Sequence, residues 1–246
     1  MRARPARGIA RPAPAGPRVA LAVMAKVPTA GTVKTRLCPP LAPAEAATLA
    51  CCFLQDRVEQ LVALAVGEPM VAFTPPERAA ELAGLLPTGV RLVPRAGEDL
   101  GARLDRLLTD LLDEGYAGAI AVDADSPTLP SAYLREASRL LLDPAVEVVL
   151  GPSEDGGYYL IGLRRPAPLL FRDMPWSTPA VLRETMARAR EAGLRVHLLP
   201  PWFDVDRGTD LDRLRGPAGP KAFRPPRTLA FLATWATSAT RAGARP

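Results

Sequence analysis

The chain has 246 residues, enough for one large domain or two small ones with a sizeable core, which excludes a disulfide-stapled miniprotein. Hydrophobic residues make up 48% and charged residues 23%, the balance of an ordinary globular protein rather than a wholly disordered one. The formal charge of +5 invites a nucleic-acid partner, but residues 1–18 and 216–246 carry five basic residues each and no acid, leaving 21 basic against 26 acidic residues between them. The body is mildly acidic, and no nucleic-acid partner is expected.

Residues 1–18 lack the apolar centre of a signal peptide and read as a disordered basic Arg/Pro/Ala tail rather than a transit peptide. From Val19 the pattern alternates short apolar runs with longer helical ones, the mark of an α/β domain with a largely parallel sheet. Strands are predicted at Val19 to Met24, Met70 to Thr74, Val90 to Pro94, Ala119 to Asp123, Val146 to Leu150, Tyr158 to Leu163 and Arg195 to Leu199. Helices are predicted at Ala44 to Ala65, Glu77 to Leu85, Leu100 to Glu114, Ser131 to Leu142, Pro179 to Ala192 and Thr209 to Leu214. Pro43 suits a helix start, and Leu49, Phe53, Val58 and Leu61 form the apolar stripe that follows it. From Gly216 the composition turns Pro/Arg-rich, with Thr228 to Thr237 an amphipathic segment read as a terminal helix docking on the domain, and a partner or membrane surface as the competing contact. The domain proper is placed at residues 19–215, with 216–246 as a C-terminal extension.

Single residue types exclude further classes. His197, the only histidine, rules out a multi-histidine zinc site and lies in a strand-like run as a structural residue. Cys38, Cys51 and Cys52 fit neither a disulfide framework nor a metal knuckle and read as reduced thiols of a cytoplasmic protein, the adjacent pair as small buried helix residues. No run approaches the roughly 18 apolar residues of a membrane span.

In open α/β sheets ligands bind outside the carboxyl ends of strands, so the loops there carry the chemistry. After the first strand, Lys26, Gly31, Lys34 and Arg36 suit a polyphosphate, although the P-loop spacing is absent. The fourth strand emerges into Asp123-Ala124-Asp125-Ser126-Pro127, two carboxylates at i and i+2 that can hold Mg²⁺ or Mn²⁺; a helix cap is the blander alternative. Asp155-Gly156-Gly157-Tyr158 combines close backbone approach with a carboxylate able to orient a hydroxyl or act as a base, or is a plain hairpin turn. Asp204 and Asp206 form a late carboxylate pair that can complete a metal site opposite Asp125, or Asp206 simply caps or salt-bridges near the last helix. Trp176-Ser177-Thr178-Pro179 looks like a helix start with Thr178 as N-cap and Pro179 at N1, its amides free for an anionic group or simply capped.

The ordered set of Lys34 to Leu37, Gly97 to Arg103, Asp123 to Pro130, Gly151 to Leu160, Trp176 to Thr178 and Asp204 to Asp206 resembles a bacterial domain-of-unknown-function family. Its members have the GT-A, or nucleotide-diphospho-sugar transferase, fold, a Rossmann-like three-layer sandwich on a mostly parallel mixed sheet. They are commonly labelled glycosyltransferases, sometimes in connection with radical-SAM gene neighbourhoods or arsenosugar biosynthesis. The first and last motifs are similar, more distantly, to nucleotidylyltransferases of coenzyme F420 and molybdenum cofactor assembly. The resemblance implies phosphates at Lys34 and Arg36, a nucleobase or ribose near Gly97, Asp99 and Gly101, and a metal on Asp125 and Asp206. Asp155, Gly156, Gly157 and Tyr158 would face the sugar or acceptor, with Trp176, Ser177 and Thr178 beside them. Asp123 stands where the family more often has glycine, so its part at the ion stays open.

The expected function is a metal-dependent glycosyltransferase that uses a nucleotide-diphospho-sugar donor and a small-molecule acceptor, with Lys34, Asp125 and Asp155 at the chemistry. Two competitors stand beside it. One is a nucleotidylyltransferase joining a nucleoside triphosphate to a phosphorylated small molecule. The other is a non-catalytic nucleotide-binding or nucleic-acid module that uses the Arg-rich ends. The nucleobase, sugar, acceptor and oligomeric state are not legible.

Overall fold

The protein is described by a computed structural model covering residues 16–96, 99–216, 219 and 221–243. Most of the basic N-terminal tail and Gly97 therefore lie outside the described residues. Seven strands form one sheet: β1 (Val19–Lys26), β2 (Glu68–Thr74), β3 (Arg91–Pro94), β4 (Gly118–Val122), β5 (Val148–Pro152), β6 (Tyr158–Leu163) and β7 (Val196–Leu198). Their order is β3-β2-β1-β4-β6-β5-β7. Only β6 runs antiparallel to its neighbours, β4 and β5; the remaining pairs are parallel. The carboxyl ends of the six parallel strands thus share one edge of the sheet, where β6 also begins.

The inner strands are apolar on both faces because helices cover both, as parallel sheets require, whereas the edge strands β3 and β7 are partly exposed. On one side Val19, Leu21 and Val23 of β1 pack with helices α1 (Pro43–Leu64), α2 (Ala79–Leu85) and α4 (Ser131–Leu142). On the other, Ala20 and Ala22 meet α3 (Leu100–Asp113), while Leu150 and Ile161 of β5 and β6 share a cluster with Ala189 of α5 (Val181–Glu191). Burying each Leu or Val in these layers contributes about 1.5–3 kcal/mol, so the sandwich is held by its two apolar faces.

A third cluster closes the end near the site. Leu37, Leu49 and Phe53 pack there with Val205, with Leu211 and Leu214 of α6 (Asp210–Arg215), and with Leu232 of α7 (Pro226–Gly243). The C-terminal helix α7 is fixed on α1 by one buried acid. Asp56 accepts from the backbone N–H groups of Arg227 (3.0 Å) and Thr228 (2.9 Å) and from the Thr228 hydroxyl (2.7 Å), capping α7 from outside its own segment. Among the described residues no helix is long and apolar enough to cross a membrane.

Two local expectations change, at the start of α5 and at Cys51 and Cys52. Helix α5 starts at Val181 with Ala180 as its N-cap, so Thr178 is not the cap. Ser177 has φ 62°, and the chain turns there before the helix begins. Thr178 Oγ1 instead donates to Pro175 O (2.7 Å) and accepts from Ala180 N (3.3 Å). Cys51 and Cys52 are half-buried rather than buried, with burial pushing both thiols up, to about 11 at Cys52. His197 lies on the edge strand β7 with its side chain exposed, neither buried nor in the cleft.

Candidate active site

The site is built on the shared sheet edge. After β1 the chain makes a turn in which Gly31 takes φ 75° and Thr32 N donates to Thr29 O (3.0 Å), a geometry that favours glycine. Lys34 follows in the left-handed conformation (φ 49°) at the head of a short 3₁₀ turn, Thr35–Leu37, which Leu37 anchors in the third cluster. This backbone turn aims the Lys34 side chain inward, where it is only 6% exposed.

The Lys34 ammonium meets both carboxylates expected at the metal. Its Nζ lies 2.9 Å from Asp125 Oδ1 and 2.7 Å from Asp206 Oδ1, and donates to Val205 O at 2.7 Å. Burial alone lowers the Lys34 pKa, but the charges of Asp125 and Asp206 outweigh it and the net direction is up. The side chains of Asp125 and Asp206 remain 47% and 40% exposed at the mouth of the cleft. Val205 N donates to Asp125 O (2.8 Å), so one backbone bond ties the two carboxylate-bearing loops together. Asp210 accepts from the N–H groups of Asp206 (3.0 Å) and Arg207 (2.7 Å), fixing the late loop against the start of α6.

Asp123 and Asp125 have separate jobs in this geometry. Asp123 Oδ2 accepts from Ser126 Oγ (2.7 Å), and Oδ1 is buried without a hydrogen bond, 3.9 Å from the Arg57 guanidinium. Burial pushes the Asp123 carboxyl up to about 7; Arg57 opposes the rise, and Asp125 and Asp204 add to it. Asp125, not Asp123, therefore faces Lys34. Arg57, fully buried in α1, was not singled out from the sequence. It donates to the carbonyl oxygens of Asp123 (3.3 Å) and Ser126, and Gln60 one turn later donates to Leu129 O (2.9 Å) and Ser131 Oγ (3.0 Å). Two polar residues on the buried face of α1 thus brace the loop that presents Asp125. The signal that could have found Arg57 is its place four residues after Phe53 and four before Leu61, on the apolar stripe.

A cleft of about 380 Å³ surrounds the Lys34 cluster, with Lys26 and Arg36 in its wall and Leu54 and Ala124 among its apolar residues. Lys26 Nζ is held across the turn by Thr32 O (3.0 Å). Two further cavities adjoin it. An outer one of about 570 Å³ shares Arg36, Ser177 and Asp206 with the cleft. An inner one of about 180 Å³ is lined by Asp123, Asp155, Gly157, Tyr158, Trp176 and Asp204, with Ser177 common to all three. Asp155 lines both the outer and the inner cavity and accepts from Gly157 N (2.8 Å). At Gly156 (φ 91°) a Cβ would stand 2.4 Å from Pro179 O, so the backbone of this turn packs directly on the segment before α5.

The motif before α3 takes part in local capping and packing. Asp99 caps α3 by accepting from Ala102 N (2.7 Å), and a Cβ at Gly101 would stand 2.7 Å from the Trp176 indole nitrogen. Neither residue lines the cleft around Lys34; Gly101 lets α3 approach Trp176, whose ring meets Tyr158 edge-on with centroids 6.4 Å apart.

The donor set fits a hard divalent ion. Among the described residues no group of three or more His, Cys, Asp or Glu side chains converges on one point. Two half-exposed carboxylates held on one ammonium nevertheless match the way Mg²⁺ binds, through one or two carboxylates with waters and substrate phosphates completing the shell.

Residues 57–178 match the model of the family described as "Uncharacterized protein conserved in bacteria (DUF2064)". The chain is similar to a protein from Desulfovibrio desulfuricans G20 provisionally assigned as a nucleotide-diphospho-sugar transferase, at 26% identity and a TM-score of 0.77, over 89% of this chain and 99% of that one. It shares its fold, at 16% identity and a TM-score of 0.51, with CMP:2-keto-3-deoxy-manno-octonic acid synthetase complexed with CTP, over 80% of this chain and 97% of that one. A cytidylyltransferase from Leptospira borgpetersenii matches at 12% identity and a TM-score of 0.51, over 90% and 96%. No curated protein matches the sequence. The fold is that of the nucleotide-diphospho-sugar transferases, a Rossmann-like sandwich whose neighbours are transferases handling nucleotides.

Proposed function

We propose that the protein is a divalent-metal-dependent transferase that takes a nucleotide-diphospho-sugar and passes the sugar to a small acceptor. The observation that carries the reading is the convergence of Lys34, Asp125 and Asp206, from three distant parts of the chain, in a cleft that also holds Lys26 and Arg36. In such an enzyme the residues have little covalent chemistry to perform. Positioning and charge stabilisation at the leaving diphosphate supply the rate. Asp125 and Asp206 would hold a Mg²⁺ or Mn²⁺ ion, which supplies charge neutralisation at the leaving phosphate oxygens. Lys34 and Arg36 stabilise the same developing charge from the protein side. Asp155, which lines both the outer and inner cavities, would accept the proton of an acceptor hydroxyl.

A second reading keeps the cleft and changes the bond. The same three cations suit a triphosphate, with attack at the α-phosphate and release of pyrophosphate. Incubation of the purified chain with Mg²⁺ and either nucleoside triphosphates or sugar nucleotides separates the two. Sugar-nucleotide turnover without pyrophosphate release supports the first; pyrophosphate release without sugar-nucleotide turnover establishes the second.

A further inference from the structure

Residues 216–246 stand apart in composition, yet their described part is built into the support of the cleft around Lys34. Three sets of contacts join it to the loops that carry Lys34, Asp125 and Asp206. The first runs through α1. Asp56 holds the first turn of α7 by three hydrogen bonds, and the next residue, Arg57, donates to the carbonyls of Asp123 and Ser126 in the Asp125 loop. Both side chains are fully buried, so one rigid helix ties α7 to that loop.

The second set is direct. Ahead of α7, Phe223 N donates to Thr128 O (3.0 Å), and the Thr128 hydroxyl accepts from Trp202 Nε1 (3.2 Å) in the run that leads to Asp206. Three segments distant in sequence thus meet on one buried threonine. The third set is apolar. Leu232 of α7 shares a buried cluster with Phe53, with Leu37 of the Lys34 turn and with Val205, and Trp235 packs against the same cluster. Val205 O accepts from Lys34 Nζ and Val205 N donates to Asp125 O, while the Phe53 ring centroid lies 5.8 Å from the Lys34 ammonium.

We propose that the C-terminal segment, residues 221–243, is a positioning element of the cleft: its docking sets the spacing of Lys34, Asp125 and Asp206. A close-packed cluster transmits the loss of one side chain to its neighbours, and a binding constellation works only while the residues behind it lock its geometry. No residue of α7 lines the cleft, so the effect on a ligand passes through Leu37, Val205 and the Asp125 loop. The proposal rests on the transferase reading for the ligand and goes beyond it in making affinity depend on a helix the ligand does not touch. Such coupling is reciprocal, so a ligand in the cleft tightens α7 in return.

The test uses the full chain. Calorimetry with Mn²⁺ alone, and with UDP, GDP, CDP, ADP and dTDP in Mn²⁺, compares wild type with Leu232→Ala, Leu232→Met and Leu111→Ala. Leu111, fully buried in α3, belongs to a cluster that contains no residue of α7, and its variant controls for lost stability, which urea unfolding measures. Binding should weaken at least about fivefold in Leu232→Ala, recover in Leu232→Met and change less than about twofold in Leu111→Ala. A folded Leu232→Ala that binds as wild type does, or no better than Leu111→Ala, overturns the proposal. Where a variant fails to fold, hydrogen exchange of the wild type decides: ligand should slow exchange in α7 more than in the carboxyl half of α5, and equal effects overturn the proposal. If no diphosphate binds, the transferase reading fails and the same comparisons are made with Mn²⁺ alone. A wild type that binds neither overturns both.

Discussion

Replacing Lys34 by methionine removes the ammonium and keeps most of the side-chain volume, which isolates the charge. The Nζ contacts at 2.9 and 2.7 Å place the two acceptor oxygens within roughly 6 Å of each other, so the variant leaves two carboxylates in mutual repulsion. Removing one partner of a fully buried ion pair costs about 3–5 kcal/mol. Here both carboxylates are nearly half exposed and solvent screens them, so a loss of about 1–3 kcal/mol is expected in metal-free buffer. A divalent ion that binds the same two oxygens competes with Lys34 in the wild type and meets no competitor in the variant. Stabilisation by a ligand follows RT ln(1 + [L]/Kd), about 2.7 kcal/mol at a hundredfold excess over Kd. Urea unfolding with and without Mn²⁺ should therefore show a larger metal-induced gain in Lys34→Met than in wild type, while nucleoside diphosphate binding falls. Equal gains in the two proteins, or no loss of stability without metal, would refute the claim that Lys34 occupies the cation position between Asp125 and Asp206.

Three further outcomes follow from the same structure. Asp56→Ala leaves the first turn of α7 without its three bonds and should cost about 2–3 kcal/mol in urea unfolding, with early proteolysis in the C-terminal segment; an unchanged midpoint contradicts the docking account. Gly156→Ala drives a methyl group to 2.4 Å from Pro179 O at φ 91° and should destabilise the turn and weaken any ligand of the inner cavity, whereas Gly31→Ala, with open space around it, should cost only its backbone strain. Glu147 accepts from Arg195 N (3.1 Å) and Arg165 Nε (2.7 Å), and these bonds hold its carboxyl below the ordinary range. Its contribution is present above the unfolded carboxylate pKa of about 4.3 and is lost as pH falls through the depressed folded value, so the stability gap between wild type and Glu147→Gln should close on acidification.

The sheet was largely legible because each strand is a run of apolar residues between turns, and all seven fall within a few residues of their expected places. Asp125 and Asp206 were legible for a different reason: carboxylates at a strand end and in a late loop share the edge where parallel strands deliver ligands. What sequence reasoning missed depends on contacts across long separations. Arg57, not singled out from the sequence, is fully buried and braces the Asp125 loop by donating to carbonyl oxygens 66 and 69 residues away. Asp56 caps a helix that starts 170 residues later in the chain's order, a pairing no local pattern encodes. At Thr178-Pro179 the local pattern was sound but lost to Ser177, whose positive φ turns the chain and delays α5 to Val181. The close approach of Gly101 to Trp176 is likewise a contact between distant segments that no local pattern encodes.

The central claim is that Asp125 holds the ion through which a nucleotide diphosphate is bound. Calorimetric titration of the best-binding of the five common nucleoside diphosphates, with and without Mg²⁺, into wild type and Asp125→Ala tests it most directly. The account predicts that Mg²⁺ strengthens binding in the wild type and has no effect on the folded variant. An Asp125→Ala protein that keeps the full Mg²⁺ dependence, or a wild type that binds none of the five, would contradict it.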